Sequence, residues 1–201
     1  MKKFRELLLS NKAWSREMRE RKPDFFGQQM VGQNPDILWI GCSDSRVSPE
    51  QITQTRPGEL FIHRNVANVV SDEDDNFCSV LQFAVEELHV NHIVVCGHRG
   101  CGGVEASLCG GTTGAIDRWL KPVREVGYAF SGELDRIEDP HARIDRLVEL
   151  NVLHQVRQLA QMRIVRSALD RGQDIALHGL VYDLRTGLVK ELETQSAFVP
   201  G

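Results

Sequence analysis

Apolar residues follow two rhythms along this chain: short continuous runs, and stretches where they recur every three or four positions. The run Ile37–Cys42 follows the turn signal Asn34-Pro35-Asp36 and predicts a strand buried on both faces, as in a parallel sheet. Further strands are expected at 59–63 after Pro57-Gly58, at 92–96, at 174–181, and at 188–192 across Thr186-Gly187. Helical spacing covers 1–31 through Phe4, Leu7, Leu8, Trp14 and Met18, with Pro23 dividing it in two. Ser48-Pro49-Glu50 reads as a helix start. Other helices are expected at 78–89, 102–108, 115–126 and 142–171, the last stopped by Arg171-Gly172. Residues 72–76 read as a polar loop and 109–113 as a Gly-rich turn. An exposed connection is expected at 127–140 and a loosely held tail over the last nine residues.

Strands alternating with helices predict an α/β fold: a central, mostly parallel β-sheet with an antiparallel edge strand and flanking helices. At 201 residues this suits a single domain, 1–201, with an N-terminal helical arm at 1–31 and an α/β core at 32–195. The arm can cover its own core or lie on a partner subunit. A chain 41% hydrophobic and 26% charged is ordinary for a globular protein. The net charge of -4 gives no electrostatic case for nucleic acid. No apolar run approaches the ~20 residues of a membrane span, and Met1 to Arg21 lacks the pattern of a secretory leader. A cytoplasmic protein is expected. Five cysteines, an odd number in a chain this long, argue against a disulfide framework.

The candidate chemistry sits at two strand ends. Cys42 closes the first apolar run. His98 and Cys101 follow the 92–96 strand within Gly97-His98-Arg99-Gly100-Cys101-Gly102-Gly103. Open α/β sheets build their sites at the carboxyl ends of strands. Two thiolates and an imidazole suit zinc rather than magnesium or calcium, and leave one coordination position open. Taken singly, each cysteine reads as a buried structural thiol and His98 as a hydrogen-bonded loop residue. Spacing alone leaves a metal site and a structural set evenly balanced. Asp44 and Arg46, two apart beside Cys42, can form a bidentate pair. This is either a surface ion pair or a gate: Asp44 can accept a hydrogen bond from whatever fills the open position, or fill it. Arg46 decides which.

Cys42-Ser43-Asp44-Ser45-Arg46, Arg64-Asn65-Val66-Ala67-Asn68 and the 97–103 segment, in that order, resemble the β-class carbonic anhydrases. The resemblance implies one zinc per subunit on Cys42, His98 and Cys101, and reversible hydration of carbon dioxide to bicarbonate and a proton. Asp44 and Arg46 match the family's dyad. Gln33, Phe61, Val66, Gly102 and Gly103 match its substrate pocket, with Phe83 where a tyrosine is common. Arg99 likewise stands where tyrosine is common and puts a charge beside His98, which is expected to bear on proton transfer or substrate access. Trp39, Gly41, Arg64 and Tyr182 resemble a second, non-catalytic bicarbonate site of the bicarbonate-regulated (type II) subset. There Asp44 leaves Arg46 and becomes a fourth zinc ligand, and activity falls at lower pH. The alternative makes Trp39 and Tyr182 core aromatics and has Arg64 bind a neighbouring carboxylate. The family also implies a homodimer pairing into a homotetramer. Two rival readings keep the site: hydrolysis of carbon disulfide or carbonyl sulfide, and a non-catalytic zinc or anion sensor.

Overall fold

A sheet of five strands, ordered β2-β1-β3-β4-β5, organises the computed structural model, which describes residues 2–196, the last four through their backbone. β1 (Ile37–Cys42), β2 (Leu60–Asn65), β3 (His92–His98) and β4 (Ala176–Asp183) run parallel. β5 (Leu188–Ser196) returns antiparallel to β4 through the Thr186-Gly187 turn. The chain enters mid-sheet at β1, moves to β2 on one side, then crosses back to β3 on the other. Strands β1 and β3 are therefore hydrogen-bonded neighbours from which the chain leaves in opposite directions. A crevice opens beyond the carboxyl ends of such a pair.

One face of the sheet carries the main core. The long helix α9 (Pro140–Gln161, numbering helices in chain order) packs on it with α4 (Asp75–Gln82), α5 (Gly102–Cys109) and α7 (Lys121–Ala129). Leu147, Val152, Val156 and Leu159 of α9 are fully buried, each worth roughly 1.5–3 kcal/mol by transfer from water. The opposite face has a smaller cluster of Trp39, Val94 and Cys96, flanked by Ile37, Ile62, Leu180 and Tyr182.

The chain divides after Asn34. In the first unit, α1 (Lys2–Arg21) and α2 (Phe25–Met30) flank Pro23, as expected, and Trp14 meets Phe25 and Phe26 edge-on at 6.0 and 5.6 Å. No described residue of either helix is buried; Phe4, Leu7, Leu8 and Leu9 are exposed.

Several expected boundaries move. The 78–89 helix is α4 followed by a wider π-helical turn, Phe83–Glu87, and α4 starts inside the expected 72–76 loop, where Asp74 accepts from the Asn76 N–H. The 115–126 helix is two, α6 (Gly114–Trp119) and α7, with Pro122 in the first turn of the second. The 127–140 connection is not wholly exposed: it contains α8 (Ser131–Leu134) and buries Leu134. The 142–171 helix breaks at Met162, whose extended ψ of 134° separates α9 from α10 (Arg163–Asp170). No proline or glycine marks that break. Strand β5 runs on to Ser196, through residues expected to be loose; 197–201 lie outside the described residues. No described helix is long and apolar enough to cross a membrane.

His63 gives the fold a pH dependence. It is buried in β2, meets Phe77 edge-on at 5.3 Å and lies 3.2 Å from Asn65 Nδ2. Burial lowers its pKa, as it does for His154. The unfolded chain takes up a proton near pH ~6.5 that folded His63 resists. Its contribution is therefore complete above that pH and is lost as pH falls below it. Urea midpoints at pH 8 and 5.5 should differ less in His63→Gln than in the wild type; an equal difference would contradict this.

Candidate metal centre

Cys42 is the last residue of β1, His98 the last of β3, and Cys101 the residue that precedes α5. The expected 92–96 strand is longer by two residues, so His98 sits on the sheet rather than in the loop. The three ligating atoms lie within 4.8 Å of one another, and no other such group occurs among the described residues. Cys42, Cys101 and His98 are 4%, 1% and 0% exposed.

The donor set fits a tetrahedral soft cation. The two Sγ atoms are 3.8 Å apart, and zinc–sulfur bonds of about 2.3 Å at a tetrahedral angle separate two thiolates by about 3.8 Å. His98 Nδ1 donates to the Arg99 carbonyl at 3.1 Å. That bond fixes the tautomer and leaves Nε2 with a free lone pair. Nε2 is buried without a hydrogen-bond partner, a costly state unless a ligand claims it.

Neighbouring groups hold Cys42 as a thiolate. Its pKa is lowered first by the hydrogen bond from Cys101, then by the backbone N–H groups of Asp44 and Ala67, against the opposing effect of burial. Cys101 is raised by its bond to Cys42 and by burial, so the pair releases its first proton easily and retains the second until a cation arrives. All five thiols are free, and burial pushes Cys96 up to about 12, making it an inert structural thiol.

Asp44 and Arg46 form the expected pair. Arg46 Nε donates to Asp44 Oδ1 at 2.9 Å and Nη2 to Oδ2 at 2.7 Å. The guanidinium lowers the Asp44 pKa well below the carboxylate range. Asp44 Oδ2 is 3.7 Å from His98 Nε2. Among the described residues Arg64 binds no carboxylate: it donates to the Cys42 carbonyl at 2.8 Å and the Asp44 carbonyl at 2.6 Å.

Of the expected pocket residues, Phe61 stacks on Phe83 at 5.7 Å, and Val66 lies against Gly103. Gln33 belongs to the N-terminal unit and is exposed. Trp39, Gly41 and Arg64 share the smaller-cluster face, with Arg64 opposite Gly41 in the register, and Tyr182 packs at the edge of that cluster. A Cβ on Gly41 would lie 2.8 Å from Trp39 Nε1.

The 65–70 turn holds residues whose roles the sequence did not disclose. Ala67 and Asn68 have φ of 64° and 48°, which strain a non-glycine residue. Side chains brace them: Asn65 bonds both ways with Val69, Asn151 donates to the Ala67 carbonyl at 3.0 Å, and Gln155 accepts from the Val70 N–H at 2.8 Å. The available signal was two polar residues four apart on the apolar stripe of α9.

The carbonic anhydrase family model matches residues 37–189. A carbonic anhydrase of Emericella nidulans is 43% identical over 183 residues, covering 91% of this chain and 80% of the relative. Among solved structures, a tetrameric β-carbonic anhydrase from Sordaria macrospora superposes with a TM-score of 0.92 at 40% identity, covering 97% of this chain and all of that one. The Coccomyxa β-carbonic anhydrase in complex with acetazolamide gives 0.91 at 40% identity, covering 95% and 87%. A buried Cys–His–Cys cluster that could hold a metal ion lies at the switch point of the α/β sheet, where such folds place their ligands. The chain belongs to the carbonic anhydrase family, in its β class.

Close backbone approach at the centre is testable. A Cβ on Gly103 would meet Val66 Cγ1 at 2.8 Å and Ala67 Cβ at 3.3 Å, whereas one on Gly102 meets nothing within 4 Å. Gly103→Ala should cost about 1–3 kcal/mol in urea unfolding. Gly102→Ala should cost nothing measurable, and equal effects would contradict the geometry.

Proposed function

We propose that this chain is a zinc-dependent carbonic anhydrase that hydrates carbon dioxide reversibly to bicarbonate and a proton, with one zinc per subunit on Cys42, His98 and Cys101. The observation that carries the reading is the buried donor set, with its matched sulfur separation and orphaned His98 Nε2. Zinc held there supplies Lewis acidity that brings the ionisation of water near neutral pH. Asp44 stays ionised under Arg46 and can only accept hydrogen bonds, so it orients a proton at the open side. While Arg46 holds both carboxylate oxygens, Asp44 leaves that side free for substrate. Phe61, Val66 and Phe83 supply an apolar wall suited to carbon dioxide, with Gly102 and Gly103 completing the pocket.

The bicarbonate-regulated subset is the finer reading. Trp39 Nε1 is buried without a partner beside Gly41, and Arg64 and Tyr182 lie towards the same strand ends of that face. A bicarbonate oxygen would satisfy the indole donor. Taking up that anion would draw Arg64 from the Cys42 and Asp44 carbonyls, loosening the segment that presents Asp44 to Arg46. Freed, the Asp44 carboxylate has only a short path to the open position. Exposed Phe4, Leu7 and Leu8 on α1, together with the tetrameric relative, favour a homodimer that pairs into a homotetramer. Five free thiols suit the reducing cytoplasm.

Stopped-flow hydration of carbon dioxide tests the activity. Cys42→Ser should lose zinc and hydration together; full activity in that variant would sink the assignment. In the wild type, bicarbonate should depress the rate more at lower pH. Arg64→Ala should weaken that response while zinc content stays constant, and an unchanged bicarbonate response would remove the Trp39/Arg64/Tyr182 site.

A further inference from the structure

Arg99 does not turn towards the metal centre. Its guanidinium is held by three carboxylates from two elements: Nη2 donates to Glu149 Oε1 at 3.0 Å, Nη1 lies 3.3 Å from Asp145 Oδ2, and Nε lies 3.5 Å from Asp183 Oδ2. Asp145 and Glu149 project from α9, and Asp183 ends β4. The same Asp145 accepts the Gly100 N–H through Oδ1 at 3.0 Å. The Arg99 N–H donates to the Tyr182 carbonyl at 2.9 Å, and the Arg99 carbonyl accepts His98 Nδ1. The Arg99 backbone N–H and carbonyl and all three guanidinium nitrogens thus have partners next to His98. Asp145 and Glu149 are largely buried, and Arg146 and Arg185 balance the remaining charge.

We propose that Arg99 is a positioning residue: gripped by Asp145, Glu149 and Asp183, it fixes the 98–101 turn so that His98 presents Nε2 to the metal. A planar fork with five donors spreads over three carboxylates in fixed directions, a reach the compact ammonium of a lysine does not match. Without the fork, Asp145, Glu149 and Asp183 repel one another, and Asp145 is no longer held where it receives the Gly100 N–H. The carbonyl that orients His98 then shifts with the turn. Groups behind a histidine ligand set its tautomer and aim, and losing one weakens metal binding by about 10–100-fold.

The inference rests on the zinc reading, and the test separates the two. Zinc affinity is measured on the full chain by competition with a chromophoric chelator, and ligand geometry by the visible spectrum of the cobalt-exchanged protein. Arg99→Met should weaken zinc about 10–100-fold and shift the cobalt bands, with Arg99→Lys recovering only part of the loss. Asp145→Asn keeps an acceptor for Gly100 and should lose less than Asp145→Leu, a comparison that stands even if Arg99→Met fails to fold. Unchanged zinc affinity and cobalt bands in these variants, with only lower melting temperatures, would make the network a structural tie and overturn the inference alone. A wild type that takes up no zinc would sink the zinc reading and this inference with it.

Discussion

Two thiols and an imidazole almost out of water, with a ring nitrogen lacking any partner, are the constraint on which the rest of this structure depends. Burial disfavours thiolates and leaves the imidazole lone pair unsatisfied. A soft divalent cation resolves both at once. The sheet order makes the cluster possible, because β1 and β3 are neighbours whose chains depart in opposite directions and so deliver Cys42 and His98 to one crevice. Cys101 reaches the same point because the turn after β3 doubles back into α5.

The surroundings trade local strain for precise placement. Left-handed backbone at Ala67 and Asn68 brings an N–H to the Cys42 thiolate, and three side-chain amides keep it there. Arg46 grips both carboxylate oxygens of Asp44 and holds that side chain 3.7 Å from His98 Nε2. Arg64, bonded to the carbonyls of Cys42 and Asp44, ties the opposite sheet face to the same few residues. The face bearing Trp39 and the crevice bearing the dyad are thereby mechanically joined.

Much of this was legible in the sequence. Continuous apolar runs placed β1 and β3, which are buried on both faces, while turn signals marked β2 and β5. Soft side chains at strand ends flagged Cys42, His98 and Cys101, which the fold does bring together, but spacing alone left a metal site evenly balanced and the family motifs tipped it. What escaped was set by tertiary contact. The break at Met162 carries no proline or glycine, so helical periodicity ran through it. The π-helical turn at Phe83 continues an apolar stripe with a different pitch. Arg99 stood out as a charge beside His98, but its partners lie 46 to 84 residues further on, beyond the reach of local pattern. Asn151 and Gln155 were visible only as polar interruptions of α9's apolar face.

The zinc reading stands or falls on which atoms surround the metal. X-ray absorption at the zinc edge of the purified protein, at high pH and free of bicarbonate, reads them directly. The spectrum should show two sulfur scatterers at about 2.3 Å, one imidazole nitrogen at about 2.0 Å and a single further light atom. A shell with fewer than two sulfurs, or without an imidazole, would contradict it.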